Sequence, residues 1–101
     1  MTLPADTAVR AEVRLRELIA RGFQFLYPTD AHGELAAIIG VRAHDDVIDV
    51  VRLHTEDDAV ATRMPSDEQH VLSPSKFSWR RRGPACSVLE ELLELPDDRI
   101  A

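Results

Sequence analysis

The chain has one cysteine, four glycines and no long apolar run, and each scarcity excludes a class of protein. The single cysteine, Cys86, rules out an intramolecular disulfide and any zinc site built from several cysteines. Four glycines at separate positions do not form a glycine-rich phosphate-binding loop within one segment. The longest apolar run, 35–41, is far too short to cross a bilayer.

The N-terminal segment lacks the pattern of a secretory signal peptide, because Pro4, Asp6 and Arg10 interrupt it before an apolar stretch forms. We therefore expect a cytoplasmic protein without membrane association. Lysine is also scarce, Lys76 being the only one, and the preference for arginine is typical of a GC-rich bacterial genome. The formal net charge of −6 argues against non-specific nucleic-acid binding, whose affinity comes mostly from neutralising phosphates.

What is present is the composition of an ordinary globular domain, with 101 residues of which 45% are hydrophobic and 30% charged. Such a length holds one modest core, so we expect a single α+β domain over 1–101 with frayed ends at 1–6 and 96–101. The sequence shows no nucleophile elbow and no carboxylate pair typical of a glycosidase. We therefore predict no catalytic residue, no cofactor and no metal site.

The first amphipathic segment is predicted as a helix over 7–21, capped by Asp6 or Thr7 and ended by Gly22. Its expected core face consists of Ala8, Ala11, Leu15, Leu18 and Ile19. A second apolar stripe consists of Val9, Val13 and Ala20. This stripe is either incidental surface or a contact with another helix or subunit.

The second amphipathic segment begins at Pro84, whose missing N–H group is tolerated in the first turn of a helix, and ends at Pro96. Between the helices the hydrophobic period changes to two, which indicates strands. Strands are predicted at 23–27, 35–44, 47–54 and 59–64, with a fifth at 76–82 after a polar connection. Because the turns between the first four strands are short, neighbouring strands are antiparallel. The predicted fold is α+β, with an N-terminal helix, a four- to five-stranded antiparallel meander and a C-terminal helix.

The turn positions also predict which side chains share a face of the sheet. With a turn at Asp45–Asp46, Arg42 lies opposite Asp49 and Val41 lies opposite Val50. A turn at Asp57–Asp58 completes the assignment. One face then carries Ile38, Arg42, Val51, Leu53, Val60 and Met64. The other face carries Ile39, Val41, Ile48, Val50, Ala59 and Ala61, with Arg52, His54 and Arg63 nearby.

Both predicted faces are substantially apolar, and two helices are expected to cover one face well and the other poorly. The less covered face is predicted to be a homodimer surface, because large exposed apolar patches usually mark contacts. The predicted interface residues are Val9, Val13, Ile39, Val41, Ile48 and Val50.

The arginine run at 80–82 leads directly into the second helix, where unpaired N–H groups attract anions. Alternation along a strand places Arg80 and Arg82 on one side. We predict an anion site formed by Arg80, Arg82, Cys86, Ser87, Arg52 and Arg63. The last two are expected side by side on the sheet. The competing interpretation is a solvated edge strand whose charges prevent sheet-to-sheet association.

The remaining polar clusters fit structural roles better than chemical ones. Cys86 at the helix start is the only thiol that could act as a nucleophile, but no cysteine-enzyme motif surrounds it. The acidic turns, with His44, His54 and His32 nearby, offer oxygen and imidazole ligands without any metal-binding spacing. Solvated carboxylates at hairpin turns account for them more simply.

Three functional hypotheses follow from the sequence. The first is a small non-enzymatic protein that acts through protein contacts in a regulatory, adaptor or inhibitor-like role, as a homodimer. The second is a module that binds an anion or a phosphorylated ligand at Arg80 and Arg82. The third and weakest is nucleic-acid contact through the same arginines.

Overall fold

The computed structural model describes residues 3–44 and 46–96, with side chains from residue 12 onward, and this part of the chain has the predicted α+β architecture. The elements in chain order are α1 (Leu3–Ala20), β1 (Gln24–Leu26), β2 (Ile38–His44), β3 (Val47–Thr55), β4 (Asp58–Pro65), β5 (Trp79–Gly83) and α2 (Ala85–Glu94). The predictions for Asp45 and for the tail at 97–101 lie outside the described residues. Neither described helix is long and apolar enough to span a membrane.

Helix α1 begins earlier than predicted and ends where predicted. Its first residue is Leu3, so Asp6 and Thr7 lie inside the helix instead of capping it, and 3–6 are helical instead of frayed. Pro4 is compatible with this start because the first turn of a helix needs no N–H group there. At the other end Gly22 has a φ of 106°, and the N–H of Phe23 donates to the carbonyl of Leu18 at 3.1 Å. This is the glycine-dependent termination that the sequence predicts.

The five strands form one antiparallel sheet in the order β1-β2-β3-β4-β5, as expected of a meander. The predicted register of β2 and β3 is confirmed, with Arg42 opposite Asp49 and Val41 opposite Val50. Strand β2 begins later than predicted, because the chain before it forms a wider loop around Asp30. The Asp30 carboxylate accepts the N–H groups of His32 at 2.8 Å and Glu34 at 3.1 Å, which stabilises the expected turn.

A β-bulge in β3 changes the face that β4 presents. The turn before β4 lies at Glu56–Asp57 and not at the predicted Asp57–Asp58, because Thr55 pairs with Asp58. Leu53 pairs with Ala59, so His54 has no partner in the ladder. One extra residue in β3 exchanges the faces to which the side chains of β4 point. The predicted assignment of β4 is therefore wrong throughout. Ala59, Ala61 and Arg63 share the face of Leu53, whereas Val60 and Met64 lie on the opposite face.

The two faces of the sheet are covered by different parts of the chain. We call the face that carries Val51 and Leu53 the helix face, because Leu18 of α1 and Leu89 of α2 are buried against it. The opposite face has a smaller core of Ala37, Ile39, Val50 and Met64. Val71, from the β4–β5 connection at 66–78, packs against this smaller core. We call this second side the loop face.

Glu68 organises the β4–β5 connection from within. Its carboxylate accepts the backbone N–H groups of His70 and Lys76, each at 3.1 Å, and the hydroxyl of Ser75 at 3.4 Å. One buried side chain thus ties together the two ends of an irregular segment. The connection is held as a compact layer on the loop face instead of extending into solvent.

A buried ion pair lies at one end of the helix face. Arg63 donates to both carboxylate oxygens of Asp49, at 2.6 and 2.8 Å, across the β3–β4 pair. Nε2 of His44 is 2.8 Å from the same carboxylate, and Arg63 also donates to the carbonyl of Pro96. Both members of the pair are fully buried. Asp49 thereby bonds to Arg63 and His44, whereas the sequence predicts Arg42 as its partner.

Candidate functional site

The three consecutive arginines of β5 point to alternate faces, as predicted. Arg80 lies opposite Thr62 and Arg82 opposite Val60, so both are on the loop face. Arg81 lies on the helix face, where its Nε is 2.8 Å from a carboxylate oxygen of Glu91 in α2. The run is therefore divided between a pair of arginines on one side and a surface ion pair on the other.

The first turn of α2 does not lie on the same side of the sheet as Arg80 and Arg82. Cys86 is buried on the side of α2 that packs toward the sheet, and Ser87 is exposed. The N–H of Ala85, the first residue of α2, donates to the carbonyl of Glu56 at 2.9 Å. Because α2 covers the helix face, the sheet separates these residues from Arg80 and Arg82. The predicted anion site at the helix N-terminus is not assembled.

Arg52 and Arg63, expected side by side, lie on opposite faces of the sheet. Arg52 pairs with Val60 and is on the loop face, whereas Arg63 is buried on the helix face with Asp49. The bulge at His54 causes this separation, because one extra residue in β3 reverses the faces on which the side chains of β4 lie. The same reversal brings Arg52 to the face that carries Arg80 and Arg82.

Three of the six predicted ligand residues therefore meet at one pocket, which we call the arginine pocket. It lies on the loop face with a volume of about 250 Å³ and is bordered by Arg52, Arg80, Arg82 and His54. The segment 71–74 of the β4–β5 connection forms one wall. Val50, Val60 and Val71 supply its apolar lining. Sequence alternation indicates the pairing of Arg80 with Arg82, but no sequence signal indicates the wall.

The arginines of this pocket differ in their partners. Arg82 bonds the carboxylate of Asp58 at 3.2 and 3.4 Å, and Arg80 lies over the ring of Phe77, 5.5 Å from its centre. Arg52 donates from Nη1 to the carbonyl of Leu72 at 3.2 Å. Its Nε is buried and has no hydrogen-bond acceptor among the described residues.

The predicted dimer surface is only partly exposed. Ile39 and Val50 are 5% and 3% exposed, because the β4–β5 connection covers the centre of the loop face. Val41 and Ile48 are half-buried beside them, and Val13 on α1 is exposed. The side chain of Val9 lies outside the described ones. A further group of exposed apolar side chains lies elsewhere among the described residues.

That group lines a groove between α1 and the β1–β2 end of the sheet, made of two pockets that share Leu15 and Ile38, and we call it the apolar strip. Its residues are Leu15, Ile19, Phe25, Tyr27, Leu35 and Ile38. Ile19, predicted in the core, is 56% exposed, and Tyr27 and Leu35 are 62% and 54% exposed. The strip is open because α1 packs mainly against α2 and leaves the first two strands poorly covered.

No group of three or more histidine, cysteine, aspartate or glutamate side chains is placed to hold a metal ion in the part of the chain that the structure describes. His44, considered above with the acidic turns, instead bonds to Asp49 in the buried network. Asp45, its neighbour in that turn, is outside the described residues.

Comparison of the chain with protein-family models, with curated proteins and with solved structures finds no match. Function is therefore argued from the two surfaces that the fold builds, the arginine pocket and the apolar strip.

Proposed function

We propose that this is a non-enzymatic protein that acts through protein contacts, and that its partner at the apolar strip is a second copy of the chain. The observation that carries the proposal is the exposure of Ile19, Tyr27 and Leu35 around two neighbouring pockets that share Leu15 and Ile38. Clustered apolar side chains of this size are uncommon on the surface of a monomer and usually mark a contact site. A regulatory, adaptor or inhibitor-like role is consistent with such a surface.

The two edges of the sheet favour a second copy as the occupant. Strand β5 forms one edge and carries three arginines, of which Arg81 and Arg82 each have a carboxylate partner. Arg80 has no carboxylate partner among the described residues, so two copies that meet at β5 bring the two Arg80 charges together. Strand β1 forms the other edge and carries no charge in Gln24–Leu26. A two-fold axis beside β1 pairs the two β1 strands antiparallel and brings the two apolar strips close together.

The margin of the strip is also self-complementary in charge. Glu12 and Arg16 border the groove, and their side chains form an exposed ion pair at 2.6 Å within α1. In a two-fold contact each surface meets its own copy, so residue i of one chain faces residue j of the other and the reverse. A margin with one carboxylate and one guanidinium then offers each copy an oppositely charged group.

Sedimentation equilibrium of the wild type and of an Ile19→Ser variant tests this proposal. The wild type is expected to dimerise, and the variant is expected to dissociate about 100-fold more readily, since the substitution removes apolar area from both copies. Ile19 is exposed in the single chain, so the variant is expected to keep the thermal stability of the wild-type monomer.

The matched control is Leu72→Ser, because Leu72 is 48% exposed and lies on the loop face, away from the strip. Its dissociation constant is expected to equal that of the wild type. A wild-type chain that stays monomeric up to millimolar concentration contradicts the proposal. Equal weakening by Ile19→Ser and Leu72→Ser contradicts the assignment of the contact to the strip.

A further inference from the structure

The arginine pocket concentrates positive charge in a chain whose formal net charge is −6. Arg52 and Arg82 lie on either side of Val60, on strands separated by two strand spacings or about 10 Å. Arg80 is two residues from Arg82 on the same strand, about 7 Å away. Extended arginine side chains at these separations reach a common point above β4.

The guanidinium groups of this cluster are only partly neutralised. Among the described residues, Asp58 on Arg82 is the only carboxylate paired with any of the three. Arg52 is fixed by the Leu72 carbonyl and retains a buried Nε without an acceptor. Arg80 is positioned by the Phe77 ring. Positioned guanidinium groups of like charge around one pocket are the arrangement that an anion stabilises.

The volume of the pocket limits the size of the ligand. At about 250 Å³ it is larger than a single small ion requires, and it falls below the range of about 300–1,000 Å³ that is usual for drug-sized ligands. Val50, Val60 and Val71 line it beside the arginines. A charged group bound to the arginines therefore leaves room for a short carbon chain against the valines.

The number of donors favours phosphate over carboxylate as the charged group. A phosphate monoester presents three acceptor oxygens and up to two negative charges, which matches three guanidinium groups. A carboxylate has two oxygens and one charge and leaves one arginine without a partner. A nucleic-acid strand needs an open basic track, whereas the segment 71–74 closes one side of this pocket.

We propose that the arginine pocket is a binding site for a small organic phosphate monoester. The phosphate is held by Arg52, Arg80 and Arg82, and its carbon substituent lies against Val50, Val60 and Val71. The site lies on the loop face, and the apolar strip lies between α1 and the β1–β2 end of the sheet. Ligand binding and dimerisation are therefore independent proposals.

Titration calorimetry with ethyl phosphate and with inorganic phosphate, at neutral pH and equal ionic strength, tests the ligand class. Ethyl phosphate is expected to bind about tenfold more tightly than inorganic phosphate, because two carbon atoms are removed from water. Potassium chloride at the same ionic strength is expected to produce no binding heat.

Three single substitutions test the position of the site. Arg80→Gln and Arg52→Gln are each expected to weaken ethyl phosphate binding at least about tenfold, since each removes a charged donor. Arg81→Gln is the matched control, because it removes the same charge from the same strand but on the helix face. It is expected to bind as the wild type does. Circular dichroism melting identifies any variant that fails to fold, and Arg80, which is exposed, keeps the test decisive if Arg52→Gln unfolds.

Several outcomes overturn the proposal. If ethyl phosphate does not bind, the proposed site does not exist. If Arg81→Gln weakens ethyl phosphate binding as much as Arg80→Gln does, the arginines act through the overall charge of the protein and not through contacts in the pocket. Inorganic phosphate that binds as tightly as the ester shows that the ligand is the free ion. A single-stranded oligonucleotide that binds through Arg80 while neither phosphate compound binds assigns the arginines to nucleic acid.

Discussion

Individual charged residues in this protein have very different energetic roles, and the pair with the largest expected effect on stability is Asp49 with Arg63. Both are fully buried, and each has a further partner, His44 for the carboxylate and the Pro96 carbonyl for the guanidinium. Burying two charges costs desolvation energy that their mutual attraction only balances when the geometry is good. Removing one member of the pair is therefore expected to destabilise the fold much more than removing both.

Arg63→Met is expected to lower the free energy of unfolding by about 3–5 kcal/mol, because it leaves the Asp49 carboxylate buried without its main counter-charge. This is a large part of the stability of a small domain. Urea denaturation followed by circular dichroism measures the loss.

The double variant Asp49→Leu/Arg63→Met serves as the comparison. It removes both charges and is expected to recover much of the stability that Arg63→Met loses. If Arg63→Met unfolds at the same urea concentration as the wild type, the buried pair has no stabilising role. If the double variant is less stable than the single one, the loss comes from packing instead of the unpaired charge.

At the scale of elements, the sequence predicts the register of the β2–β3 hairpin but not that of the β3–β4 hairpin. The β2–β3 register follows from the position of a short turn, and Arg42 lies opposite Asp49 as predicted. The β3–β4 register depends on one bulged residue, His54, which hydrophobic alternation does not reveal. That residue decides whether Arg52 joins the loop-face arginines and whether Arg63 is buried.

Strand β2 contains a glycine whose replacement tests the packing of β1 on the sheet. A Cβ atom at Gly40 would lie 2.6 Å from Cε1 of Phe25 and 3.1 Å from Cγ1 of Val51. Gly40→Ala is therefore expected to displace the Phe25 ring and to lower the free energy of unfolding by about 1–3 kcal/mol. Chemical denaturation measures the change. Adding Phe25→Leu is expected to restore part of the loss, and an unchanged or increased stability in Gly40→Ala contradicts the close packing.

The β4–β5 connection gives the protein an acid-sensitive element. The N–H of His70 has the largest effect on Glu68 and lowers the pKa of its carboxyl below the usual 4.5, with further lowering by Ser75 and Lys76 and an opposing effect of burial. A lowered pKa in the folded state means that the bonds stabilise the fold above the unfolded-state pKa. This contribution is lost as the pH falls through the folded-state pKa.

Glu68→Gln is expected to be less stable than the wild type at neutral pH, and the difference is expected to narrow as the pH falls through the lowered pKa. Urea denaturation over an acidic pH series measures it. Asp67→Asn, next to it and exposed, is the control and is expected to show a smaller dependence. A gap between wild type and Glu68→Gln that stays constant with pH contradicts the role of the ionised carboxylate.

At the scale of the whole molecule, the order of elements and the antiparallel sheet follow from hydrophobic period and turn spacing, and both are confirmed. Hydrophobic period and turn spacing do not predict which apolar side chains are exposed. The path of residues 66–78 over the loop face, which buries Ile39 and Val50, has no periodic signal. The tilt of α1 toward α2, which exposes Ile19, depends on packing between distant segments. Sequence reasoning therefore places Arg80 and Arg82 on one face of the sheet, as the structure has them, but it does not locate the exposed apolar side chains between α1 and the β1–β2 end.

The two edges of the sheet differ in charge, and this difference would limit the proposed assembly to a dimer. Addition of strands to exposed edges is the route by which β-proteins polymerise into fibres. Here the three arginines of β5 disfavour the pairing of two β5 edges. The β1 edge carries no charge and remains available for pairing. In the proposed dimer, joined through the two β1 edges, the combined sheet would have ten strands and would end in an arginine-bearing strand on both sides, so growth would stop at a closed pair.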